Sequence, residues 1–154
     1  MNKFNIRFAE IKDIPEILSL IRELAVYEKL ADQLTVTENA LKEYLFGNNK
    51  FVELILAESD GKIVAQAIFF KNFSTFLGKP GIYLEDLFVK PDYRGKGIGK
   101  ALLEKIISIA KERGYGRVEW SVLEWNESAI NFYKKNKANL LDDWRIFRLT
   151  DDNF

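Results

Sequence analysis

At 154 residues and 17.9 kDa, with 47% hydrophobic and 30% charged side chains, the chain is sized for one packed domain, expected to span residues 1–154. Its 23 basic and 23 acidic residues cancel, which gives no argument for nucleic acid or a membrane as partner. Cysteine and histidine are both absent, which excludes disulfides, thiolate nucleophiles, Ser-His-Asp triads and Cys/His metal sites, so no metal is expected and acid–base chemistry falls to Asp, Glu, Tyr or Lys.

Met1 to Asn5 shows no apolar leader, and the longest apolar run, Ile63–Phe70, is far shorter than the ~20 residues of a spanning helix, so a cytoplasmic location is expected. Phe4–Phe8 reads as a first strand. Asp13 and Glu16 form a capping-box pattern around Pro15, and Ile14, Ile17, Leu18, Ile21, Leu24 and Ala25 make one apolar stripe at helical spacing. Thr37 caps a shorter helix carrying Ala40, Leu41, Tyr44 and Leu45. Val52–Glu58 and Lys62–Lys71 flank Ser59-Asp60-Gly61, a hairpin signal, and Asn72–Gly81 reads as a loop. Ile82–Val89 is a strand that stops at Pro91. Arg94-Gly95-Lys96-Gly97-Ile98-Gly99 then opens a long helix that Gly114 ends. Arg117–Leu123 is expected as a strand, Ser128–Asn136 as a helix and Leu140–Leu149 as a closing strand. Strands and helices so interleaved predict a mixed sheet with helices on both faces.

The net charge of zero hides an asymmetry. Residues 1–60 carry 7 basic and 11 acidic side chains, a net −4, while residues 91–117 carry 7 and 3, a net +4. One half suits a cation and the other an anion, although uneven solvated surface accounts for the pattern equally well. Gly95, Gly97 and Gly99 at a helix start expose successive N–H groups to an anion, and Arg94, Lys96 and Lys100 add positive charge there, so a diphosphate is the natural ligand. The spacing matches neither a Walker loop nor the dinucleotide fingerprint.

Arg94-x-x-Gly97-x-Gly99 after an apolar strand, followed by Asn126-x-x-Ala129-x-x-x-Tyr133 at the next strand-to-helix junction, resembles the acetyl-CoA signature of the GNAT N-acetyltransferase superfamily. The likeness runs from Ile6-Arg7 to the last strand. Tyr27-Glu28, Tyr83-Leu84-Glu85-Asp86, Trp125-Asn126-Glu127 and Asn131-Phe132-Tyr133 are similar to its diamine (spermidine/spermine) branch, and Glu28 to Gln33 to its thialysine-acetylating relatives. The resemblance implies an α/β GNAT fold: a mixed, mostly antiparallel sheet of about six to seven strands, with two central strands splayed apart.

It further implies that the backbone of Leu87, Phe88 and Val89 meets the pantetheine arm of acetyl-CoA, that Arg94, Gly95, Lys96, Gly97, Ile98, Gly99 and Lys100 hold the diphosphate, and that Asn126, Ala129 and Tyr133 line the rest. Tyr133 is expected as the catalytic acid at the departing sulfur, because a tyrosine hydroxyl, with its ordinary pKa of about 10, keeps a proton to give. Glu85 is expected as the base, through a water, with Asp86 on the opposite strand face and the choice between the two left open. Tyr27, Glu28, Asp86, Trp120, Ser121 and Asp142 are expected around the acceptor, and Trp125, Trp144 and Phe76 as candidate groove walls. Lys137 stands where a glycine commonly ends the tyrosine-bearing helix, so Asn136 is expected to cap it instead.

The expected reaction is direct acetyl transfer from acetyl-CoA to a small cationic amine in a ternary complex, by a homodimer. No cysteine exists to carry the acetyl group on the enzyme, which weighs against a Cys-acyl ping-pong route. A protein or peptide N-acetyltransferase, or a non-catalytic acyl-CoA-binding module, are the alternatives.

Overall fold

The N-terminal strand and helix form where the pattern places them. In the computed structural model, which describes residues 3–154, strand β1 is Phe4–Phe8 and helix α1 is Ile14–Tyr27, with Ile14, Ile17, Leu18, Leu20 and Ala25 buried. The expected cap differs. Asp13 makes no side-chain cap for α1; it closes a short 3-10 turn over Ile11–Asp13 in which Asp13 Oδ2 accepts from the Glu10 N–H at 2.8 Å. Its carboxylate is 5% exposed and takes Arg7 in two bonds, Nη1 to Oδ2 at 2.7 Å and Nη2 to Oδ1 at 3.0 Å, while Arg7 also reaches Glu58 at 2.6 Å. A nearly buried carboxylate needs that cation, so Asp13 serves the core edge rather than the helix start.

Thr37 does cap α2 (Glu38–Phe46), its Oγ1 accepting from the Ala40 N–H at 3.2 Å. β2 (Val52–Ser59) and β3 (Lys62–Ser74) meet in a tight hairpin whose Asp60 and Gly61 both have positive φ, 50° and 74°, as a two-residue turn of this hand requires. The segment expected as a loop, Asn72–Gly81, is mostly strand: β3 runs to Ser74 and β4 (Lys79–Val89) begins five residues on, leaving 75–78 as the turn. Cross-strand pairing overrides the polar, Gly/Pro-punctuated local signal there. α3 (Ile98–Glu112) follows, ended by Gly114 at φ 69°, and β5 is Val118–Glu119.

The sheet order is β1-β2-β3-β4-β5, antiparallel except for the parallel β4–β5 pair. On one face Leu54, Leu56 and Ile68 form a core cluster with Ile17 of α1 and Leu45 of α2. The alternate residues Ile55, Ala57, Ala67, Phe69 and Leu84 are also buried, and α3 supplies Leu102, Leu103 and Ile106 to the core. The sheet thus has five strands among the described residues, fewer than the six to seven expected. The strand expected over Arg117–Leu123 shrinks to two residues.

These elements form one compact unit ending at Ser121, and Val122–Phe154 forms another. The second holds α4 (Glu127–Lys135), close to the helix expected over Ser128–Asn136. The closing strand over Leu140–Leu149 does not form: the segment has no regular structure, and Ile146, Phe147 and Leu149 are exposed. A strand exists only through its ladder, and no described residue pairs with this one. No helix among the described residues is long and apolar enough to cross a membrane.

Arg7→Ala is expected to destabilise the fold by about 3 kcal/mol at neutral pH, because it orphans a buried carboxylate. The Arg7 guanidinium holds the Asp13 carboxyl below its ordinary pKa, so this stabilisation is complete above the usual carboxylate range and disappears as pH falls through the lowered value. Denaturant unfolding of both proteins from pH 7 downward should show the gap closing in acid; a constant gap would assign Arg7 a packing role instead.

Candidate active site

The diphosphate-type loop lies between β4 and α3. Gly95 and Gly97 adopt φ 73° and 83°, and a Cβ at either would meet nothing within 4 Å, so conformation rather than crowding selects glycine. Gly97 is the residue before α3; no side chain caps the helix, and its first turn holds no acidic residue. The N–H groups of that first turn have no acceptor within the helix. This is a fit for an anion, with Lys96 and Lys100 exposed nearby.

Arg94 is placed differently from a free phosphate ligand. Its Nε donates to the Val89 carbonyl at 2.9 Å, and its guanidinium lies 4.7 Å from the Tyr27 ring centre and 5.5 Å from that of Phe88. Stacked and hydrogen-bonded in this way, it ties the loop to the end of β4 and to the last turn of α1. Lys96 stands over the Tyr93 ring at 5.0 Å, and Lys100 pairs with Glu104 at 3.7 Å. Ile98 is buried, and Gly99 continues the first turn.

Strand β4 carries the second feature. Its pairing with β5 covers Ile82↔Val118 and Tyr83↔Glu119, while β4 itself runs on through Leu87, Phe88 and Val89. This early parting of the two strands is the splay expected of the fold. Ser121 accompanies the parting, its Oγ 2.9 Å from the Tyr83 hydroxyl, and Trp120 is half-buried. On the β3 side, Asp86 pairs with Ile68 but Leu84 with Phe69, so Glu85 is the extra residue of a β-bulge. The bulge interrupts the regular ladder at Glu85, and of the pair Glu85 is exposed while Asp86 is half-buried.

Three carboxylates bear on one another here. Burial, chiefly, and then the neighbouring charges of Glu85 and Glu28 push the Asp86 carboxyl up to about 7. Burial also raises that of Glu28. Glu28 caps the C-terminal end of α1, whose carbonyls carry the negative end of the helix dipole and whose last turn has no basic residue. Lys29, at φ 61°, turns the chain away. The concentration of negative charge suits a cation, and a carboxyl near pKa 7 suits proton transfer. Tyr27, besides stacking on Arg94, links this acidic end of α1 to the glycine loop.

In the second unit the Asn126/Ala129 pattern proves to be a helix cap: Asn126 Oδ1 accepts from the Ala129 N–H at 3.3 Å. It fixes the start of α4 and so the placing of Tyr133, whose ring meets Phe132 edge-on at 5.2 Å. At the C-terminal end Lys137, not Asn136, takes the left-handed position, φ 66°, and Asn136 Nδ2 donates to the Phe132 carbonyl at 2.8 Å. Asp142 is exposed, its carbonyl accepting from Arg145 at 3.0 Å, and Trp125, Trp144 and, in the first unit, Phe76 are exposed as well. Gln66, fully buried on β3 with both amide atoms unpartnered, escaped the sequence reading; a polar residue inside the apolar run Ile63–Phe70 was its signal.

A glycine loop suited to an anion, on parting strands and with a raised carboxyl on the same strand, is the arrangement that the resemblance to acetyl-CoA-dependent transferases implies. The Acetyltransferase (GNAT) family matches residues 17–137. The thialysine N-epsilon-acetyltransferase of Bos taurus is 39% identical over 93% of this chain and 90% of its own length, and the L-ornithine N5-acetyltransferase of Arabidopsis thaliana 32% identical over 96% and 84%. Among solved structures, an integron cassette protein from V. cholerae superposes with a TM-score of 0.82 at 25% identity, covering 99% of this chain and 95% of that one. The chain belongs to the GNAT acetyltransferase family and is an acetyl-CoA-dependent N-acetyltransferase.

Proposed function

We propose that the enzyme acetylates the terminal primary amine of a small cationic acceptor, a basic amino acid such as thialysine or ornithine or a polyamine, by direct transfer in a ternary complex. The observation that carries this reading is the Glu28, Glu85 and Asp86 carboxylates gathered at the β4 bulge and the negative end of α1. Relatives named for thialysine and ornithine acetylation support the acceptor class.

Acetyl-CoA supplies an acetyl carbon activated as a thioester. Gly95–Lys100 bind its diphosphate through backbone N–H groups and lysine charge. Glu28 and Glu85 draw in the acceptor's ammonium group. Asp86 takes one proton from it, which frees the nitrogen lone pair for the new C–N bond. Tyr133 gives a proton from Oη to the sulfur as the C–S bond breaks, and the second proton of the attacking nitrogen passes to the resulting phenolate as the amide forms. In this reading the proton goes to Asp86 and the attraction to Glu85, an assignment that the raised Asp86 carboxyl supports. Without cysteine, an acetyl-cysteine relay is not available, which favours the ternary complex. Residues 1–154 act as one cytoplasmic catalytic domain, and the exposed Ile146, Phe147 and Leu149 support a homodimer that covers them.

The test is CoA release with thialysine, ornithine, lysine, spermidine, putrescine and a lysine peptide. The expected result is a kcat/KM at least about 100-fold higher for one of the small cations than for the peptide, a gap of about 2.7 kcal/mol in transition-state binding. Turnover of the peptide alone would overturn the acceptor class.

A further inference from the structure

Gln66 lies at the centre of the sheet, 0% exposed, and neither its Nε2 nor its Oε1 has a hydrogen-bond partner. Buried amides are ordinarily paired, so an unpaired one in the interior of a strand calls for a reason. Its register supplies one. Gln66 stands opposite Leu56 on β2 and Phe88 on β4, and Ile68 stands opposite Asp86. Residues directly opposite share a face, so Gln66, Phe88, Ile68 and Asp86 lie on the side of the sheet packed by α1. Gln66 and Asp86 are then diagonal neighbours on adjacent strands, about 7–8 Å apart, a span that one bridging water covers.

We infer that Gln66 is a positioning residue for Asp86, its buried carboxamide holding the carboxyl group in place through both protonation states. Through such a water an amide serves either state: Nε2–H donates toward the ionised carboxylate, and Oε1 accepts on behalf of the protonated one. The charges that act on Asp86 are those of Glu85 on β4 and Glu28 at the end of α1, while Arg94 is engaged with Val89 and two rings. The inference rests on Asp86 being the proton acceptor.

The test follows the Asp86 carboxyl by carbon-detected NMR titration of the full chain, with the resonance assigned from Asp86→Asn. Gln66→Leu and the volume-matched Gln66→Met are compared with wild type, alongside pH profiles of kcat/KM. Both substitutions put an apolar side chain of similar size on a fully buried face, so both proteins should fold. Loss of a donor to the ionised form should raise the Asp86 pKa by about one unit and lower kcat/KM at pH 7 about 3- to 10-fold, with KM for acetyl-CoA unchanged. Wild-type titration near 7 with no movement in either variant would overturn the Gln66 role and leave Asp86 as the base. Wild-type titration near the ordinary carboxylate value would instead overturn the assignment of the base. In that case movement between variants still supports the Gln66–Asp86 contact, and its absence ends it.

Discussion

Tyr133→Phe is expected to lower kcat by about 10²- to 10³-fold while leaving the affinity for acetyl-CoA within about two-fold of wild type. The substitution removes one oxygen and keeps the aromatic ring and the backbone. Asn126 still caps α4 through Ala129, the ring still meets Phe132, and the Tyr133 carbonyl still accepts from the Asn136 and Ala138 N–H groups. A fall in kcat without a change in melting temperature therefore reports the hydroxyl itself. Steady-state kinetics with a saturating small amine, together with CoA titration calorimetry, separates the two quantities. A kcat within about three-fold of wild type would remove Tyr133 from the proton path and reduce the tyrosine of the motif to a packing residue.

What the chain shows in advance follows from how local each rule is. The α1 stripe, the Thr37 cap, the Asp60-Gly61 turn and the Gly114 stop each depend on a few consecutive residues, and all four appear in the structure. Asn136 and the Asp13 cap of α1 are exceptions among local signals. The left-handed position falls one residue later, on Lys137, because the helix ends with the Ala138 N–H bonded to the Tyr133 carbonyl. The bulge at Glu85 depends on where Ile68 and Phe69 stand on another strand, and strict alternation misses it. The closing strand fails for the same class of reason, since Leu140–Leu149 has strand-forming residues but no partner ladder among those described.

The site divides along the same line. Glycine positions, basic residues and the Asn126 to Tyr133 spacing are visible in the sequence because helix starts encode themselves locally. That Arg94 lies against the Tyr27 and Phe88 rings is a tertiary fact, and it ties the glycine loop to the end of β4 and to α1. The depth of Asp86 is tertiary too: the bulge, the last turn of α1 and the apolar face around Ile68 together bury a carboxylate that strand periodicity alone assigns to either face.

Asp86→Asn should cost activity and add stability. Folding raises the carboxyl from 3.8 to about 7, so between those values the native chain binds a proton that the unfolded chain has released. Stability accordingly declines as pH rises from about 4 to about 7 and levels off above. Asparagine carries no such penalty, although its amide brings hydrogen-bonding needs of its own. The variant is expected to match wild type near pH 4 and to exceed it by about 1–3 kcal/mol at pH 8, a rise of several degrees in melting temperature. Turnover should fall at least about 10²-fold at pH 7, and the acidic limb of kcat/KM, near pH 7 in wild type, should vanish. Glu85→Gln separates the two carboxylates. With Glu85 serving to attract the ammonium group, its loss raises the acceptor's KM and moves the limb slightly downward, because a like charge beside Asp86 is gone. If the limb instead survives in Asp86→Asn and disappears in Glu85→Gln, the exposed carboxylate of the bulge takes the proton and the buried one only receives the substrate's charge.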